Sequence, residues 1–319
     1  MEPKILVITP IKHIKDIEYQ LNKIGDLTCI DDPDTNSMAE IIHKYDVIFT
    51  NPNKSKVYLG RDILKLALNL KVICTASTGT NHIDKSYAAE RNIKILSLTE
   101  ERSIINKISS TAELAFALTM SKLRNINQAC ESVLNDEWDY EKFIGRQMNC
   151  LTIGVIGFGR LGSMYANYCS SFGSNVIVYD PFKRIDGMSY KQVTNIAELL
   201  KESDVISLHI HATKANEQFI DKKYIGMMKS DVLLINTSRG DIVDEEALVE
   251  SLKENPNASV ATDVLTDEIR NRQSSPLLQY AKISNQILIT PHIGGMTREA
   301  QEIAYGHAVS LLRDYFTRE

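Results

Sequence analysis

The chain is poor in the residues that mark metal centres, redox motifs and nucleic-acid surfaces. It has only five cysteines in 319 residues, and no two of them form a C-x-x-C pair, which argues against a zinc site or a dithiol motif. Positive charge is also in short supply. The 36 Lys and Arg are outnumbered by 41 Asp and Glu, for a net charge of −5, without the basic stripe that binding to a phosphate backbone requires. We therefore expect no bound metal and no nucleic-acid partner.

Long apolar runs are missing as well. No run approaches the ~20 residues needed to cross a bilayer. Residues 1–8 pass straight into an apolar strand pattern, without the charged, apolar and small-residue blocks of a secretory signal. We therefore expect a cytoplasmic protein with reduced cysteines and no membrane partner.

What the sequence does contain is a regular alternation of short β-branched runs and helical stretches. With 319 residues, this pattern predicts an α/β fold with two doubly wound parallel-sheet domains. Strands of the first sheet are predicted at 5–9, 27–30, 46–50, 72–76 and 93–98. Six strands of the second are predicted at 151–156, 176–179, 205–209, 232–236, 259–262 and 287–290. Six strands make up a full dinucleotide-binding sheet.

Two helices bear on how the sheets are connected. Ser110 and Glu113 have the spacing of a capping box, which predicts a helix start at Ser110. Because residues 114–120 are apolar nearly all round, that helix is expected to be buried, either within its own chain or against a second subunit. A last helix is predicted over 299–315. The pattern alone does not say which sheet it covers.

A glycine motif follows the first strand of the second sheet. Gly157, Gly159 and Gly162 fit the G-x-G-x-x-G pattern between a strand and a helix. In that pattern the first glycine permits a tight turn, the second lets a pyrophosphate approach the backbone, and the third allows close helix–strand packing. The helix N-terminus then favours the phosphate charge. We therefore expect a dinucleotide site here, rather than a purely structural turn.

The next strand ends in an acid, Asp180. A carboxylate at this position accepts hydrogen bonds from the ribose hydroxyls and repels a 2′-phosphate, which favours NAD over NADP. Lys183 and Arg184 lie close by in the sequence and act against that preference.

Three polar residues stand near the ends of later strands, where ligands of open α/β sheets bind. The forked cation of Arg239 suits a substrate carboxylate and its neighbouring oxygen. His292 suits proton transfer, and Glu268 would stabilise and orient its imidazolium. Each residue alone also has a structural explanation, as a surface ion pair, a helix cap or a solvated acid. Their joint placement favours oxidation of a 2-hydroxy acid, or reduction of a 2-oxo acid, with hydride carried by the nicotinamide.

Several of these motifs, taken together, resemble those of a known protein family. Residues 237–240, 243–248 and 291–295, together with the glycine motif and 76–84, resemble the D-isomer-specific 2-hydroxyacid dehydrogenases over nearly the whole chain. The resemblance implies that Arg239, Glu268 and His292 form the catalytic set. It also implies that backbone N–H groups of Ser77, Thr78 and Gly79, together with Arg239, bind the substrate. The residues expected to contact NAD are Gly157, Gly159, Arg160, Leu161, Gly162, Asp180, His211, Thr213, Thr237, Ser238 and Asp263.

The resemblance further implies how the domains are arranged. A smaller, flavodoxin-like substrate domain would comprise 1–102 and 294–319, with the last helix crossing back to it. A Rossmann NAD-binding domain would comprise 103–293. The two domains would close over the substrate, excluding water, and a homodimer would form through the cofactor domains.

The sequence departs from the family pattern in three places. His211 stands where proline is usual, and 269–272 lack the usual proline after Glu268. Members that oxidise phosphoglycerate carry basic residues after the third strand of the substrate domain. Here 50–53 are uncharged, and only Lys54 and Lys56 lie beyond.

The last of these departures favours an unphosphorylated acid over a phosphoglycerate-type substrate. Glu268 argues against a formate dehydrogenase, which has an amide partner for its histidine. A non-catalytic NAD-sensing protein, similar to the corepressors that resemble this family, stays open as a second alternative. The retained set of three polar residues favours catalysis.

Overall fold

The computed structural model describes residues 2–52, 57–185, 190–269 and 271–318. Asn53, Lys54, Lys56 and Arg270, which bear on the expectations for the substrate and for the loop after Glu268, lie outside these ranges. The chain forms two compact units. Unit 1 is Met1–Ile108 with Gly295–Glu319, and unit 2 is Ser109–Gly294. The units divide between residues 108 and 109 and between residues 294 and 295. The predicted domain boundaries lay between residues 102 and 103 and between residues 293 and 294.

Strands and helices alternate along most of the chain. The strands are β1 (Lys4–Val7), β2 (Asp26–Cys29), β3 (Val47–Thr50), β4 (Val72–Thr75), β5 (Lys94–Leu96), β6 (Thr152–Ile156), β7 (Asn175–Tyr179), β8 (Lys191–Val193), β9 (Val205–Leu208), β10 (Leu233–Asn236), β11 (Ser259–Thr262) and β12 (Ile287–Ile289). The helices are α1 (Ile17–Asn22), α2 (Thr35–Ile41), α3 (Arg61–Leu64), α4 (Lys85–Glu90), α5 (Arg102–Ile105), α6 (Ser110–Leu123), α7 (Ile126–Leu134), α8 (Arg160–Ser171), α9 (Ile196–Glu202), α10 (Lys222–Ile225), α11 (Glu245–Glu254), α12 (Pro276–Ala281) and α13 (Arg298–Arg318). Short 3₁₀ helices lie at Ile42–Lys44, Tyr140–Phe143, Met148–Cys150, Lys214–Asn216, Gly240–Ile242 and Arg272–Ser274.

Unit 1 is built on a five-stranded parallel sheet of order β2-β1-β3-β4-β5. This is the flavodoxin-like order, and it confirms the predicted fold class for this part of the chain. Strands β3 and β4 are buried at every position, because helices cover both faces of a parallel sheet. One face packs against α13 through Tyr305, Ala308 and Leu312. The last helix therefore belongs to unit 1, which the sequence pattern alone had left open.

Unit 2 is built on a seven-stranded parallel sheet of order β12-β11-β10-β9-β6-β7-β8. The order reverses between β6 and β9, which is the point where doubly wound sheets bind their ligands. The prediction of six strands was wrong by one, because β8 was missed. That strand is three residues long, two of them polar, and among the described residues it pairs with β7 alone. It therefore has no apolar run to reveal it.

Helix α6 packs on the sheet of unit 2. Ala115, Leu118 and Leu123 lie in the apolar core formed with β6, β10 and α8, so this face of the helix is buried within its own chain. The predicted helix start at Ser110 is confirmed, whereas the predicted capping box is wrong. The N-cap is Ser109, whose hydroxyl donates to Glu113 Oε1 at 2.5 Å and makes no capping hydrogen bond to the backbone. Ser110 is the first helical residue and its side chain is buried.

Across the described ranges, none of the helices combines the length and the apolar character that a bilayer span would need.

Candidate active site

The glycine loop lies between β6 and α8, where the sheet order reverses. Gly157 has φ +89°, and a Cβ there would come within 2.6 Å of the carbonyl oxygen of His209. A Cβ on Gly162 would clash with the carbonyl oxygen of Gly157. By contrast, the space beside Gly159 is open, with no other heavy atom within 4 Å of where its Cβ would be. The tight turn, the open approach and the close packing are the three features that a pyrophosphate cradle needs.

Asp180 follows β7 and holds the loop beside this cradle. Its Oδ2 accepts the N–H of Phe158 at 2.8 Å, and its Oδ1 accepts the N–H groups of Phe182 and Lys183 at 2.9 and 3.1 Å. The ammonium of Lys183 donates to the Phe158 carbonyl oxygen at 3.1 Å. The carboxylate thus sits at the edge of the glycine loop, and oxygen lone pairs remain for ribose hydroxyls.

Two histidines follow β9, in different environments. His209 is enclosed beside the glycine loop with its Nε2 2.9 Å from Ser207 Oγ, and burial lowers its pKa from 6.5 to about 3. His211 is exposed, and its carbonyl oxygen accepts Asn216 Nδ2 at 2.5 Å. Thr213 is the N-cap of the next 3₁₀ helix, and its hydroxyl donates to Asn216 Oδ1 at 3.0 Å. Asn216 therefore gives the loop a defined shape in the absence of the usual proline.

After β10, the side chain of Asn236 organises the turn that carries Arg239. Its Nδ2 donates to the Arg239 carbonyl oxygen at 2.8 Å, and its Oδ1 accepts the N–H and hydroxyl of Ser238 at 3.0 and 2.7 Å. Sequence reasoning missed Asn236, although an amide ending an apolar strand was a visible signal. Thr237 is buried, and its hydroxyl has no hydrogen-bond partner within the part of the chain that the structure describes. Such a hydroxyl can bond to a bound cofactor.

Arg239 is held by its own turn and by nearby acids. One guanidinium nitrogen donates to the Ser238 carbonyl oxygen at 2.6 Å. Burial lowers the pKa of Arg239, while the charges of Glu268 and Asp241 raise it. Because the pKa of a guanidinium lies far above neutral pH, Arg239 stays charged under physiological conditions. The site therefore contains a fixed, partly desolvated cation.

Glu268 and His292 form a direct pair. Glu268 Oε1 lies 2.6 Å from His292 Nδ1, and the two side chains are only 19% and 21% exposed. Glu268 Oε2 accepts the N–H of Leu265 at 3.3 Å. This geometry leaves Nε2 of the ring as the nitrogen available for proton exchange. His292 itself has φ +55°, an uncommon backbone for a residue with a side chain.

Asp263, at the end of β11, anchors the chain on both sides of His292. It accepts the Thr290 hydroxyl at 2.5 Å and the N–H groups of Ile293 and Gly294 at 2.8 Å each. Burial raises the pKa of Asp263, and these hydrogen bonds act in the opposite direction. The aspartate expected to contact NAD thus also supports the loop that carries the histidine.

The segment resembling a substrate loop lies in unit 1, after β4. The hydroxyl of Ser77 donates to the Gly79 carbonyl oxygen at 2.7 Å, and the Ser77 and Thr78 carbonyl oxygens accept from Leu98 N–H and the Thr99 hydroxyl. The backbone N–H groups of 77–79 donate to no acceptor that the described residues provide. They are therefore available to bind a carboxylate.

Within unit 2 the structure brings the three predicted catalytic residues into one electrostatic group. Glu268 is hydrogen-bonded to His292, and its negative charge raises the pKa of Arg239. Arg160 and Leu161 begin α8 beside the glycine loop. Among the residues that the structure describes, there is no cluster of His, Cys, Asp and Glu suited to a metal ion.

Residues 116–294 match the family model for the D-isomer specific 2-hydroxyacid dehydrogenase NAD-binding domain. The chain is 34% identical over 304 residues to D-3-phosphoglycerate dehydrogenase of Methanocaldococcus jannaschii, covering 94% of this chain and 55% of the relative. It is 33% identical over 271 residues to hydroxypyruvate reductase of Thermotoga maritima, covering 83% of each. The chain thus spans about half the length of the phosphoglycerate dehydrogenase and most of the length of the reductase.

Among solved structures, the chain is similar to D-lactate dehydrogenase of Aquifex aeolicus in complex with NAD and lactic acid. The TM-score is 0.82 at 29% sequence identity, with 98% of this chain and 95% of the other covered.

Proposed function

Because the chain belongs to the D-isomer specific 2-hydroxyacid dehydrogenase family, we propose that it interconverts a small D-2-hydroxy acid and its 2-oxo acid with NAD. The observation that carries the proposal is the direct pairing of Glu268 with His292. The charge of Glu268 also raises the pKa of Arg239, and all three residues lie in the unit that contains the glycine loop.

Each residue has one role in the reductive direction. Arg239 binds the substrate carboxylate and withdraws electron density from the 2-oxo oxygen. His292 donates the proton that this oxygen needs, from Nε2, while Glu268 stabilises the imidazolium through Nδ1. In the oxidative direction His292 removes the hydroxyl proton. Bound NADH supplies the hydride, and NAD accepts it in the reverse direction.

The residues around the glycine loop fit a dinucleotide. The open space beside Gly159 admits the pyrophosphate, the α8 N-terminus favours its charge, and the unpartnered hydroxyl of Thr237 provides a further hydrogen bond. Asp180 would bind the ribose diol and thereby favour NAD over NADP. The Ser77, Thr78 and Gly79 N–H groups would bind the substrate carboxylate together with Arg239.

We propose an unphosphorylated substrate. Thr50 and Asn51, which end and follow β3, are uncharged and buried, so the described part of this loop offers no cation to a phosphate. The phosphoglycerate-type alternative is kept in the test because of the relative named above. The panel is pyruvate, glyoxylate, hydroxypyruvate, 2-oxoisocaproate, 2-oxoglutarate and 3-phosphohydroxypyruvate, each with NADH. A kcat/KM highest for the phosphorylated acid would overturn the choice.

The reaction class is tested by removing the proton donor. His292→Ala should lower kcat about 10²–10⁴-fold and leave the Kd for NADH within about twofold. His43→Ala, a change at an exposed histidine of unit 1, is the matched control. Full activity of the His292 variant would refute its role. NADH binding without turnover of any acid in the wild type would instead support the NAD-sensing alternative.

We also propose a homodimer formed through unit 2. The stretch from α7 to residue 144 exposes several large apolar side chains, among them Leu134 at 84%, Trp138 at 89%, Tyr140 at 81% and Ile144 at 79%. A patch of this kind on one segment is typical of an interface. Sedimentation velocity should give a dimer for the wild type and monomer for a Leu134→Ser, Trp138→Ser variant. A monomeric wild type would reject the proposal.

A cytoplasmic location is proposed on the state of the cysteines. All five are free thiols, and two of them, Cys74 and Cys169, are buried. Unpaired thiols suit a reducing compartment. Fractionation of cells that express the tagged chain is the test.

A further inference from the structure

The backbone N–H of Thr266, two residues before Glu268, is held by a carboxylate from the segment that follows Arg239. It donates to Glu245 Oε1 at 2.8 Å. We call this carboxylate of Glu245 the acidic clamp.

Glu245 is a buried charge with two strong partners. It is only 5% exposed, and its second oxygen accepts the Ser275 hydroxyl at 2.6 Å. It is the first residue of α11, where the helix dipole favours negative charge. Ser275 is itself buried and caps α12. The carboxylate thus joins both ends of the loop 266–275, which carries Glu268, to the start of α11.

Backbone packing enforces the same contact. A Cβ on Gly240 would clash with the backbone carbon of Leu265 and the backbone nitrogen of Thr266. The chain just after Arg239 therefore lies directly against the peptide that the clamp holds. A larger residue at 240 would push the two segments apart.

The held peptide leads straight to the catalytic pair. Leu265 N–H donates to Glu268 Oε2 at 3.3 Å, while Glu268 Oε1 lies 2.6 Å from His292 Nδ1. Asp267 has φ +49°, a strained conformation that persists only where its surroundings over-determine it. Residues 269–272 contain no proline to restrict the loop. The backbone conformation just before Glu268 therefore depends on the hydrogen bond from Thr266 to Glu245 and on the packing against Gly240.

From these contacts we infer that Glu245 is a positioning residue for the reaction, holding Glu268 in place against His292. The inference rests on the proposed function, because it assigns the clamp a role in orienting the proposed proton donor. Glu245 does not contact the substrate in this scheme. Its effect is transmitted entirely through Glu268.

The test uses Glu245→Gln, which keeps the side-chain shape and removes the charge. Its matched control is Glu246→Gln, the same change at the next residue, which is exposed. We expect kcat to fall about 10–100-fold for Glu245→Gln, as is typical of a small misplacement of a catalytic group, with the Kd for NADH within about twofold. Glu246→Gln should retain wild-type kcat.

A double-variant cycle separates positioning from a general structural role. If the clamp acts through Glu268, the double variant Glu245→Gln, Glu268→Gln should have the kcat of Glu268→Gln alone. Ser275→Ala removes one partner of Glu245 and is the milder second variant, in case Glu245→Gln does not fold. It should give a smaller loss that also vanishes in the Glu268→Gln background. If Glu245→Gln lowers kcat by the same factor in the Glu268→Gln background as in the wild type, the inference is wrong.

A spectroscopic measurement tests the clamp independently of turnover. In the chain without substrate, the proton NMR signal of His292 Nδ1–H bonded to Glu268 is expected far downfield. It should be assigned by its loss in Glu268→Gln. It should move or broaden in Glu245→Gln and persist in Glu246→Gln. If Glu245→Gln shows the same signal as the wild type, the clamp is rejected. If the signal changes in Glu245→Gln but the wild type turns over no acid, only the enzymatic function is rejected.

Discussion

His209 should make the stability of unit 2 depend on pH in a way that a single substitution removes. The ring is enclosed between Ser207 and the aromatic ring of Tyr165, whose centroid is 5.1 Å away. Burial lowers the pKa of His209 from 6.5 to about 3. The native chain therefore keeps this ring neutral under conditions in which the unfolded chain protonates it. Because His209 also packs against Gly157 and Gly162, the loss of stability should affect the cofactor cradle.

The sign and size follow from proton linkage. The folded pKa is depressed, so the contribution of His209 is fully present above pH 6.5 and is lost as pH falls toward 3. Each pH unit in that window costs about 1.4 kcal/mol. Between pH 7 and pH 5, His209 alone should remove about 2 kcal/mol from the free energy of unfolding.

The assay is urea unfolding at pH 7 and pH 5, monitored by hydrogen exchange of peptides from β9. This measurement reports on unit 2 separately from unit 1. His209→Gln keeps a nitrogen near Ser207 and cannot titrate. Its unfolding free energy should therefore fall about 2 kcal/mol less than that of the wild type over the same pH range. His211→Gln, at an exposed position, should behave as the wild type. Identical pH dependence in the His209 variant and the wild type would refute the reasoning.

Three further outcomes are expected at the site. Asp180→Ala should erode the preference for NADH over NADPH in kcat/KM, and an unchanged ratio would count against a role in reading the ribose. Gly162→Ala should destabilise unit 2 by about 1–3 kcal/mol through backbone overlap, measured by urea unfolding. Gly159→Ala, with open space around it, should cost only about 0.5–1 kcal/mol of stability, because Gly159 is the N-cap of α8 and alanine is a poorer N-cap than glycine. The same change should weaken NADH binding. Equal effects of the two glycine substitutions would contradict their assigned roles. Asp263→Ala removes three hydrogen bonds next to His292 and should lower kcat at saturating NADH at least about tenfold; wild-type kcat would show that the loop does not need this anchor.

Much of the fold could be read from the chain because parallel strands are buried on both faces. The strands β3, β4, β9 and β10 are buried at every position and are mostly apolar. Such mostly apolar runs between helical stretches are visible without coordinates. Strand β8 lacked this signal, since a polar edge strand is stabilised by its neighbour rather than by burial. The capping box at Ser110 was wrong because the spacing of residues does not show that the Ser110 side chain is buried in the helix rather than free to cap it.

The site could be predicted in part. The glycine motif, Asp180 and the set of Arg239, Glu268 and His292 could be predicted as candidates because each follows a strand end and carries a recognisable chemical group. Asn236 and Glu245 were not found, since an amide or an acid in a turn usually faces solvent. Only the folded chain shows that Asn236 shapes the Arg239 turn and that Glu245 is buried against Thr266 and Ser275.

The amino-acid sequence by itself determined the class of the fold and predicted a cofactor loop and a set of candidate reactive groups, because these depend on local periodicity and on side-chain chemistry. The tertiary structure decided which unit α13 joins, which nitrogen of His292 meets Glu268, and which backbone N–H groups Glu245 and Asp263 hold near that pair. Those features depend on contacts between residues far apart in the chain. Such contacts arise only when burial forces polar groups from different strand ends to satisfy one another.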